Sequence, residues 1–282
     1  MLPEKPKKPI TDLSKYLFLI YGREKIGKTT FFASWDDALF LTTEPGTKGL
    51  EIYEVECNDW RTIRKVVSEL EKTNRFKTVI IDTIDRAYDF CLDYVCDQLG
   101  ITYPGEDDEG HPDYGKSWRA VKLEFTELIN RLVFTGRGVC FTSHLKEMEI
   151  RLRTGERWHR IVPSMSKQGR SVVEAIVDFF FYAEYMRLKS GEIIRVLITE
   201  GDEFIWAGQR KIQGFKHLPQ FLPLVEEGGK QMLLEAFKGK FVGINPGDLL
   251  PAKMTPKATQ DFLNRRRVKE INRQRAKKKI KK

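Results

Sequence analysis

The sequence predicts an α/β fold in which helices cover both faces of a mostly parallel sheet. Short apolar runs, such as residues 16–21 and 78–81, have the length and continuous hydrophobicity of strands buried inside a sheet. Segments with apolar residues at helical spacing alternate with these runs, and the clearest are residues 60–70 and 118–132. This alternation is typical of parallel sheets, because each parallel crossover needs a long connection that is usually a helix.

The elements follow one another regularly as far as residue 208. We expect a flexible lead-in at residues 1–15, an α/β core at residues 16–208, and a small extension at residues 209–263 where the periodicity weakens. The predicted strands are residues 16–21, 38–43, 78–81, 139–143, 178–186 and 193–199, and the predicted helices are residues 27–35, 60–70, 84–99, 118–132, 172–177 and 230–237.

Two stretches interrupt this pattern. Residues 101–115 hold five acids and several Pro and Gly but no Lys or Arg, and residues 147–170 lose the periodicity and are rich in Arg. Long segments without a repeating pattern inside a compact domain are usually functional or disordered. We therefore predict two long loops.

The positive charge is concentrated in residues 264–282. The whole chain carries +9, whereas this tail holds 11 Lys or Arg and one acid, a net charge of +10 that leaves −1 for the rest. With little apolar content the tail is expected to be disordered, and dense basic charge favours nucleic-acid backbone through counterion release. A solubilising tail and a docking arm for an acidic protein are the alternatives. The tail residues that we single out for nucleic acid are Arg265, Arg266 and Arg267.

Composition excludes several classes of protein. The four cysteines show no C-x-x-C spacing, which favours reduced thiols in a cytoplasmic protein over a zinc site or a disulfide framework. No run of 18 apolar residues is present, so we expect no membrane partner. The Pro- and Lys-rich start lacks the apolar stretch of a secretory signal.

Residues 22–29 carry the strongest motif. Their sequence, GREKIGKT, has the spacing G-x-x-x-x-G-K-T of a phosphate-binding loop, and it lies between a predicted strand and a predicted helix. The glycines let backbone N–H groups turn toward phosphate oxygens, while Lys28 reaches the β- and γ-phosphates and the Thr29 hydroxyl holds Mg²⁺. An ordinary glycine-containing turn is the alternative. The motif predicts ATP and Mg²⁺, contacted by Gly22, Arg23, Glu24, Lys25, Ile26, Gly27, Lys28, Thr29 and Thr30.

An acidic residue follows the predicted strand at residues 78–81. An acid in this position, here Asp82, holds the Mg²⁺ through water in phosphate-loop proteins. Asp is also a favoured helix N-cap, which would give Asp82 a structural role at the start of the next helix. We favour a metal site formed by Thr29 and Asp82, and we place Asp85 on the exposed surface of that helix.

The base that activates water must come from another strand, because Thr83 rather than Glu follows Asp82. Glu44 is the candidate, since it follows a predicted strand and strand ends at this edge of the sheet face the ligand. His144 follows another strand and could contact the γ-phosphate. The alternatives are a turn-opening role for Glu44 and a strand-capping role for His144. The predicted catalytic residues are Lys28, Glu44 and His144.

The order of the phosphate loop, FLTTE, VIIDT and FTSHLKE resembles the RecA-like ATPase core. It looks most like the phage nucleotide-binding proteins of that group, which are partners of phage single-strand annealing and recombination. The resemblance covers residues 10–208. It implies that Glu44 is the catalytic glutamate, that Asp82 is the Walker B acid, and that His144 occupies the position of a glutamine in RecA and of a histidine in hexameric phage helicases.

The resemblance also places the two predicted loops where RecA-like proteins have their DNA-binding loops. The acidic first loop is a poor surface for phosphate backbone, so we assign it no DNA contact. The second loop interleaves basic residues with an aromatic one, which suits single-stranded nucleic acid, although a solvated flexible loop is the alternative. Its predicted contacts are Arg151, Arg153, Arg157, Trp158, Arg160, Lys167 and Arg170.

Together these features predict a Mg²⁺-dependent ATPase that binds single-stranded DNA in phage recombination, annealing or replication. The expected partners are single-stranded DNA, other copies of the chain and a single-strand-binding or annealing protein, all in the host cytoplasm. One alternative is an ATP-gated DNA-binding module with negligible turnover. Others are a helicase-like motor, which would use Arg210 or Lys211 on a neighbouring copy, and a small-molecule nucleotide kinase.

Overall fold

The computed structural model describes residues 4–151, 155 and 157–250. Within them, nine strands form one sheet and two more form a separate hairpin. The strands of the sheet are β1 (Leu17–Gly22), β2 (Ala38–Thr42), β3 (Tyr53–Glu56), β4 (Thr78–Asp82), β5 (Gly138–Ser143), β8 (Phe179–Arg187), β9 (Ile193–Ile198), β10 (Gly208–Gln209) and β11 (Phe221–Pro223), and the hairpin strands are β6 (Leu145–Arg151) and β7 (Arg157–Pro163).

Helices cover both faces of this sheet. The helices are α1 (Lys28–Ala33), α2 (Trp60–Leu70), α3 (Ile84–Leu99), α4 (Lys116–Phe134), α5 (Lys167–Ile176) and α6 (Gly229–Phe237), with short 3₁₀ turns at Leu13–Lys15 and Pro246–Asp248. In the part of the chain described, no helix has the length and apolarity needed to cross a bilayer.

The strand order is β11-β9-β8-β1-β5-β4-β2-β3, and β10 pairs with β8. The pairs from β8 to β3 are all parallel, whereas β9, β10 and β11 are joined in antiparallel fashion. The predicted mostly parallel sheet flanked by helices is therefore confirmed. Because β1, β2, β4 and β5 run in the same direction, the residues that follow them meet at one edge of the sheet.

The continuous apolar sequence of β1 reflects its burial on both faces. Leu19 and Tyr21 point into a core shared with α2, α3, α4 and α5, whereas Phe18 and Ile20 point into a second core with α1 and α6. All four side chains are fully buried. A strand that is buried on both faces of a sheet has no polar face. Its apolar run therefore indicates the length of the strand but not which side chains point to which face of the sheet.

Local sequence signals fix where the helices begin and end. The side chain of Asp59 accepts a hydrogen bond from the Thr62 backbone N–H (2.7 Å) and caps α2. The helix α3 ends at Leu99 and is capped by Gly100, whose φ of +69° suits a glycine better than any residue with a side chain. The prediction for residues 84–99 is confirmed at both ends.

The prediction of a loop at residues 147–170 is wrong. The hairpin β6–β7 and the start of α5 occupy this stretch, and the hairpin pairs Glu149 with His159 and Ile150 with Trp158. Charged side chains occupy its outward positions, so it lacks the continuous apolar run by which the other strands were recognised. By contrast, residues 101–115 contain no helix and no strand of the sheet or hairpin. Within this loop, Asp113 accepts hydrogen bonds from the backbone N–H groups of Gly115 and Ser117.

Residues 209–250 join the same sheet and its second core. The strand β11 pairs with β9, and α6 packs beside α1 with Leu233 and Phe237 buried. Leu13, from the predicted lead-in, is buried in the same core. Residues 251–263 of the predicted extension and the basic tail lie outside the described residues.

Candidate nucleotide-binding site

The loop at residues 22–27 connects β1 to α1 at the carboxyl edge of the sheet. Glycine is required at the two motif positions of this loop for different structural reasons. A Cβ on Gly22 would lie 2.5 Å from the Ala183 carbonyl oxygen, so the close approach of β1 to β8 excludes a side chain there. Gly27 has φ +110°, a left-handed conformation that leads the backbone into α1 and strongly favours glycine.

Lys28 lies at the centre of this loop. Its side chain is buried, and Nζ donates hydrogen bonds to the carbonyl oxygens of Gly22 (2.9 Å) and Arg23 (2.8 Å). Burial lowers the pKa of Lys28, and the nearby carboxylates, led by Asp82, oppose that shift. The ammonium is thus held inside the curl of the loop by neutral acceptors, and phosphate oxygens can replace them.

Thr29 and Asp82 meet as the metal prediction requires. Thr29 Oγ1 donates to Asp82 Oδ2 (2.6 Å), and the other carboxylate oxygen accepts a hydrogen bond from Thr142. A hydroxyl beside a carboxylate offers the hard oxygen ligands that Mg²⁺ prefers, so these residues fit the ion. The alternative role of Asp82 as a helix cap does not hold, because the side chain of Thr83 caps α3.

Glu44 and His144 are brought into contact from separate strands. His144 Nε2 lies 3.1 Å from Glu44 Oε2, while Glu44 Oε1 accepts a hydrogen bond from Thr83 Oγ1 (3.0 Å). The buried Nδ1 of His144 has no hydrogen-bond partner among the described residues. The neutral tautomer with its hydrogen on Nε2 satisfies the contact with Glu44 and leaves no buried N–H unpaired.

Asp85 has a different place from the one predicted. Rather than facing solvent, its carboxylate accepts hydrogen bonds from Ser143 Oγ (2.8 Å), Ser164 Oγ (2.7 Å) and the His144 backbone N–H (2.9 Å). Asp85 therefore joins the start of α3 to the end of β5 and to the residue that follows β7. No local sequence pattern indicates these contacts, because the three donors are far from Asp85 along the chain.

A cavity of 540 Å³ unites these groups, a size that suits a nucleotide. Its lining includes Lys28, Thr29, Glu44, Asp82 and His144. It also includes two residues that sequence reasoning missed, which are Arg195 on β9 and Glu226 after β11. The available signal for Arg195 was a single charge within an otherwise apolar strand, IIRVLI.

The remaining predicted loop residues are divided between the cavity and its surroundings. Glu24, Lys25 and Thr30 line the cavity. Ile26 is buried in the second core, and the exposed Arg23 lies 3.8 Å from Glu184. Ile26 therefore serves packing through its side chain, whatever its backbone contacts.

The predicted nucleic-acid residues form a mixed set. Arg151 and Arg157 are exposed at the end of the hairpin, where Arg157 also pairs with Glu149 (3.4 Å), and Lys167 is exposed at the start of α5. Trp158 stacks on Phe204 with ring centroids 5.0 Å apart. Arg160 donates to the Glu203 carbonyl oxygen (3.0 Å). The predicted residues Arg153, Arg265, Arg266 and Arg267 lie outside the described residues.

The assignment of Arg170 to nucleic acid is wrong. The residue is 4% exposed, its guanidinium carbon lies 5.1 Å from the centre of the Trp206 ring, and Nε lies 3.5 Å from Glu174 Oε1. A cation enclosed in this way supports packing beneath the hairpin and has no surface to offer a phosphate.

The parallel sheet, the glycine loop and the carboxylate beside Thr29 define an α/β protein of the P-loop nucleotide-binding class. The family model described as "AAA domain" matches residues 14–211, and the chain belongs to that family.

Among the proteins that are similar to the chain are a prophage-derived protein and a solved archaeal structure. One is the SPbeta prophage-derived uncharacterized protein YorG of Bacillus subtilis (strain 168), which is 28% identical over 134 residues, or 45% of this chain and 40% of that protein. The match thus spans less than half the length of this relative. The other is the KaiC-like protein PH0186 from Pyrococcus horikoshii OT3, with a TM-score of 0.43 and 16% identity over 74% of this chain and 85% of that one.

Proposed function

We propose that the protein is a RecA-like, Mg²⁺-dependent ATPase that acts on single-stranded DNA in phage recombination, annealing or replication. The observation that carries the proposal is one cavity in which Lys28, the Thr29–Asp82 pair and the Glu44–His144 pair come together. A phosphate loop binds a polyphosphate, and a carboxylate across from it supplies a base for hydrolysis.

Each residue has a defined task in the proposed reaction. Lys28 exchanges its loop carbonyls for β- and γ-phosphate oxygens. Thr29 and Asp82 would hold Mg²⁺, which would neutralise part of the phosphate charge. Glu44 accepts a proton from the attacking water. The water oxygen forms a bond to the γ-phosphorus, while the bond between the γ-phosphorus and the β-phosphate oxygen breaks and ADP leaves. His144 orients Glu44 and contacts the γ-phosphate before cleavage.

The DNA part of the proposal is supported by charge and by kinship. Exposed basic residues at the hairpin end and the tail of net charge +10 both suit phosphate backbone. A relative with a prophage origin agrees with the phage setting. We propose single-stranded DNA, a single-strand-binding or annealing protein and further copies of this chain as partners.

A helicase-like motor is less well supported by the geometry. Arg210, a candidate for action on a neighbouring copy, donates to the Ala175 carbonyl oxygen (2.8 Å) and lies 3.5 Å from Asp178 within its own chain. Lys211 is exposed and stays a candidate for that role.

The test is the steady-state rate of phosphate release from ATP with Mg²⁺, measured with and without single-stranded DNA. We expect turnover that DNA stimulates and that Glu44→Gln abolishes. ATP binding without turnover under either condition would instead favour the ATP-gated binding module, and phosphate transfer to an added small molecule would favour a kinase.

A further inference from the structure

Arg195 lines the nucleotide cavity from the opposite side of β1 to the strands that lead to Glu44 and His144. In the sheet, β8 and β9 lie on one side of β1, whereas β5, β4 and β2 lie on the other. Gly22, the last residue of β1, pairs with Ala183 of β8. Two residues further along β8, Tyr185 pairs with Arg195 of β9. Arg195 is therefore placed just beyond the carboxyl end of β1, beside the phosphate loop.

The contacts of Arg195 direct its guanidinium toward that loop. Nη1 lies 3.4 Å from the Ile26 carbonyl oxygen and 3.1 Å from the position that a Cβ on Gly27 would occupy. Nη2 pairs with Glu226 Oε1 at 2.6 Å. The group keeps more N–H donors than these contacts use, 31% of its side chain is exposed, and the residue lines the cavity.

We propose that Arg195 binds the α- and β-phosphates of the nucleotide held by its own chain, an inference that rests on the proposed function of the cavity. The γ-phosphate end is defined by Glu44 and His144, so a cation on the other side of β1 meets the part of the polyphosphate nearer the nucleoside. A planar guanidinium presents paired N–H groups to phosphate oxygens, and the neighbouring loop already approaches the same anion.

This placement predicts a pattern of nucleotide affinities that distinguishes a contact to the α- and β-phosphates from a contact to the γ-phosphate. Both ATP and ADP contain the α- and β-phosphates, so Arg195→Ala should weaken the two nucleotides by a similar factor, about tenfold to a hundredfold for a charge-assisted hydrogen bond. Arg195→Lys should recover part of the loss, because it keeps the charge but not the planar fork.

The measurement is calorimetric titration of wild type and variants with ATP and with ADP, in the presence of Mg²⁺. Arg187→Ala is the matched control, because Arg187 lies in the same β8–β9 hairpin and bonds the Gly191 carbonyl oxygen instead. Glu226→Ala, which removes the acceptor of this pair, tests for a merely structural role. If Arg195 only straps residues 224–228 to the sheet, Glu226→Ala must lose as much affinity as Arg195→Ala.

Three results would overturn the assignment. They are unchanged affinity in Arg195→Ala, a loss confined to ATP, and equal losses in Arg195→Ala and Glu226→Ala. If wild type binds neither nucleotide, the proposed function of the cavity fails as well, whereas tight wild-type binding with no effect of Arg195 refutes this inference alone. Thermal unfolding without nucleotide separates misfolded variants from those with a specific binding defect.

Discussion

Lys28 is the one ammonium enclosed by the loop among the described residues, and its burial is tolerated because two carbonyl oxygens accept its hydrogen bonds. We expect Lys28→Ala to lose ATP hydrolysis and to weaken ATP binding by at least about tenfold, since a charge-assisted contact to phosphate disappears. Phosphate release and nucleotide titration measure the two effects. Lys116→Ala, which removes an exposed lysine at the start of α4, is the control, and wild-type turnover in Lys28→Ala would refute the loop assignment.

We expect a substitution at Glu44 to separate nucleotide binding from hydrolysis. The Glu44 carboxylate lies between His144 Nε2 and Thr83 Oγ1, and the residue follows β2, which lies on the other side of β1 from the strand that carries Arg195. We expect Glu44→Gln to keep MgATP affinity within about threefold and to lose turnover by about a hundredfold or more, because an amide fills the same space but cannot accept a proton.

The contrasting variant for Glu44 is Asp85→Asn. Asp85 already accepts three hydrogen bonds from the protein, so it is a poor candidate for the base. Turnover that survives in Glu44→Gln and disappears in Asp85→Asn would show that the base has been assigned to the wrong carboxylate.

At the scale of the elements, Asp85 connects three of them through one carboxylate. Removing it leaves Ser143, Ser164 and the His144 N–H without their acceptor, and we expect Asp85→Ala to lower the free energy of unfolding by about 1–3 kcal/mol. Urea denaturation measures this loss. Asp93→Ala removes an exposed acid from the same helix and should change stability by less than about 0.5 kcal/mol, and equal effects of the two variants would contradict the connecting role.

The elements also show what periodicity can predict. The central strands and α3 were located because continuous burial or a single buried stripe leaves a clear sequence pattern. The edge strand β3 and the hairpin β6–β7 were missed, because edge and surface strands need few apolar residues. Residues joined by tertiary contact, such as Asp85 with Ser164, or Arg195 with Glu226, leave no local signal at all.

At the scale of the whole molecule, the excess of positive charge lies in the sequence after the α/β core. Residues 264–282 carry a net charge of +10 and no pattern that could read bases. We expect deletion of this tail to lower DNA affinity for all sequences alike, to reduce the slope of log affinity against log salt, and to leave basal ATP hydrolysis intact. Fluorescence anisotropy at several salt concentrations measures the slope, and an unchanged slope would mean that the tail does not contact DNA.

The cavity and the hairpin are joined by a short path of contacts. His144 directly precedes the first strand of the hairpin, and Ser164 directly follows its second strand. The Ser164 N–H donates a hydrogen bond to the His144 carbonyl oxygen (2.9 Å). The proposed γ-phosphate contact at His144 would therefore act on both ends of the segment that carries Arg151 and Arg157. Segments that change their order or position when the γ-phosphate is lost are a known mode of switching.

This path predicts that ATP and single-stranded DNA strengthen each other's binding by the same factor, as linkage requires. We expect DNA affinity to be at least about fivefold higher with a non-hydrolysable ATP analogue than with ADP or without nucleotide, within the usual range of coupling energies. His144→Ala should retain both binding events and bring that factor close to one, because the γ-phosphate then has no contact with the hairpin. Equal wild-type affinities in all three nucleotide states would refute the coupling and favour a passive DNA-binding module.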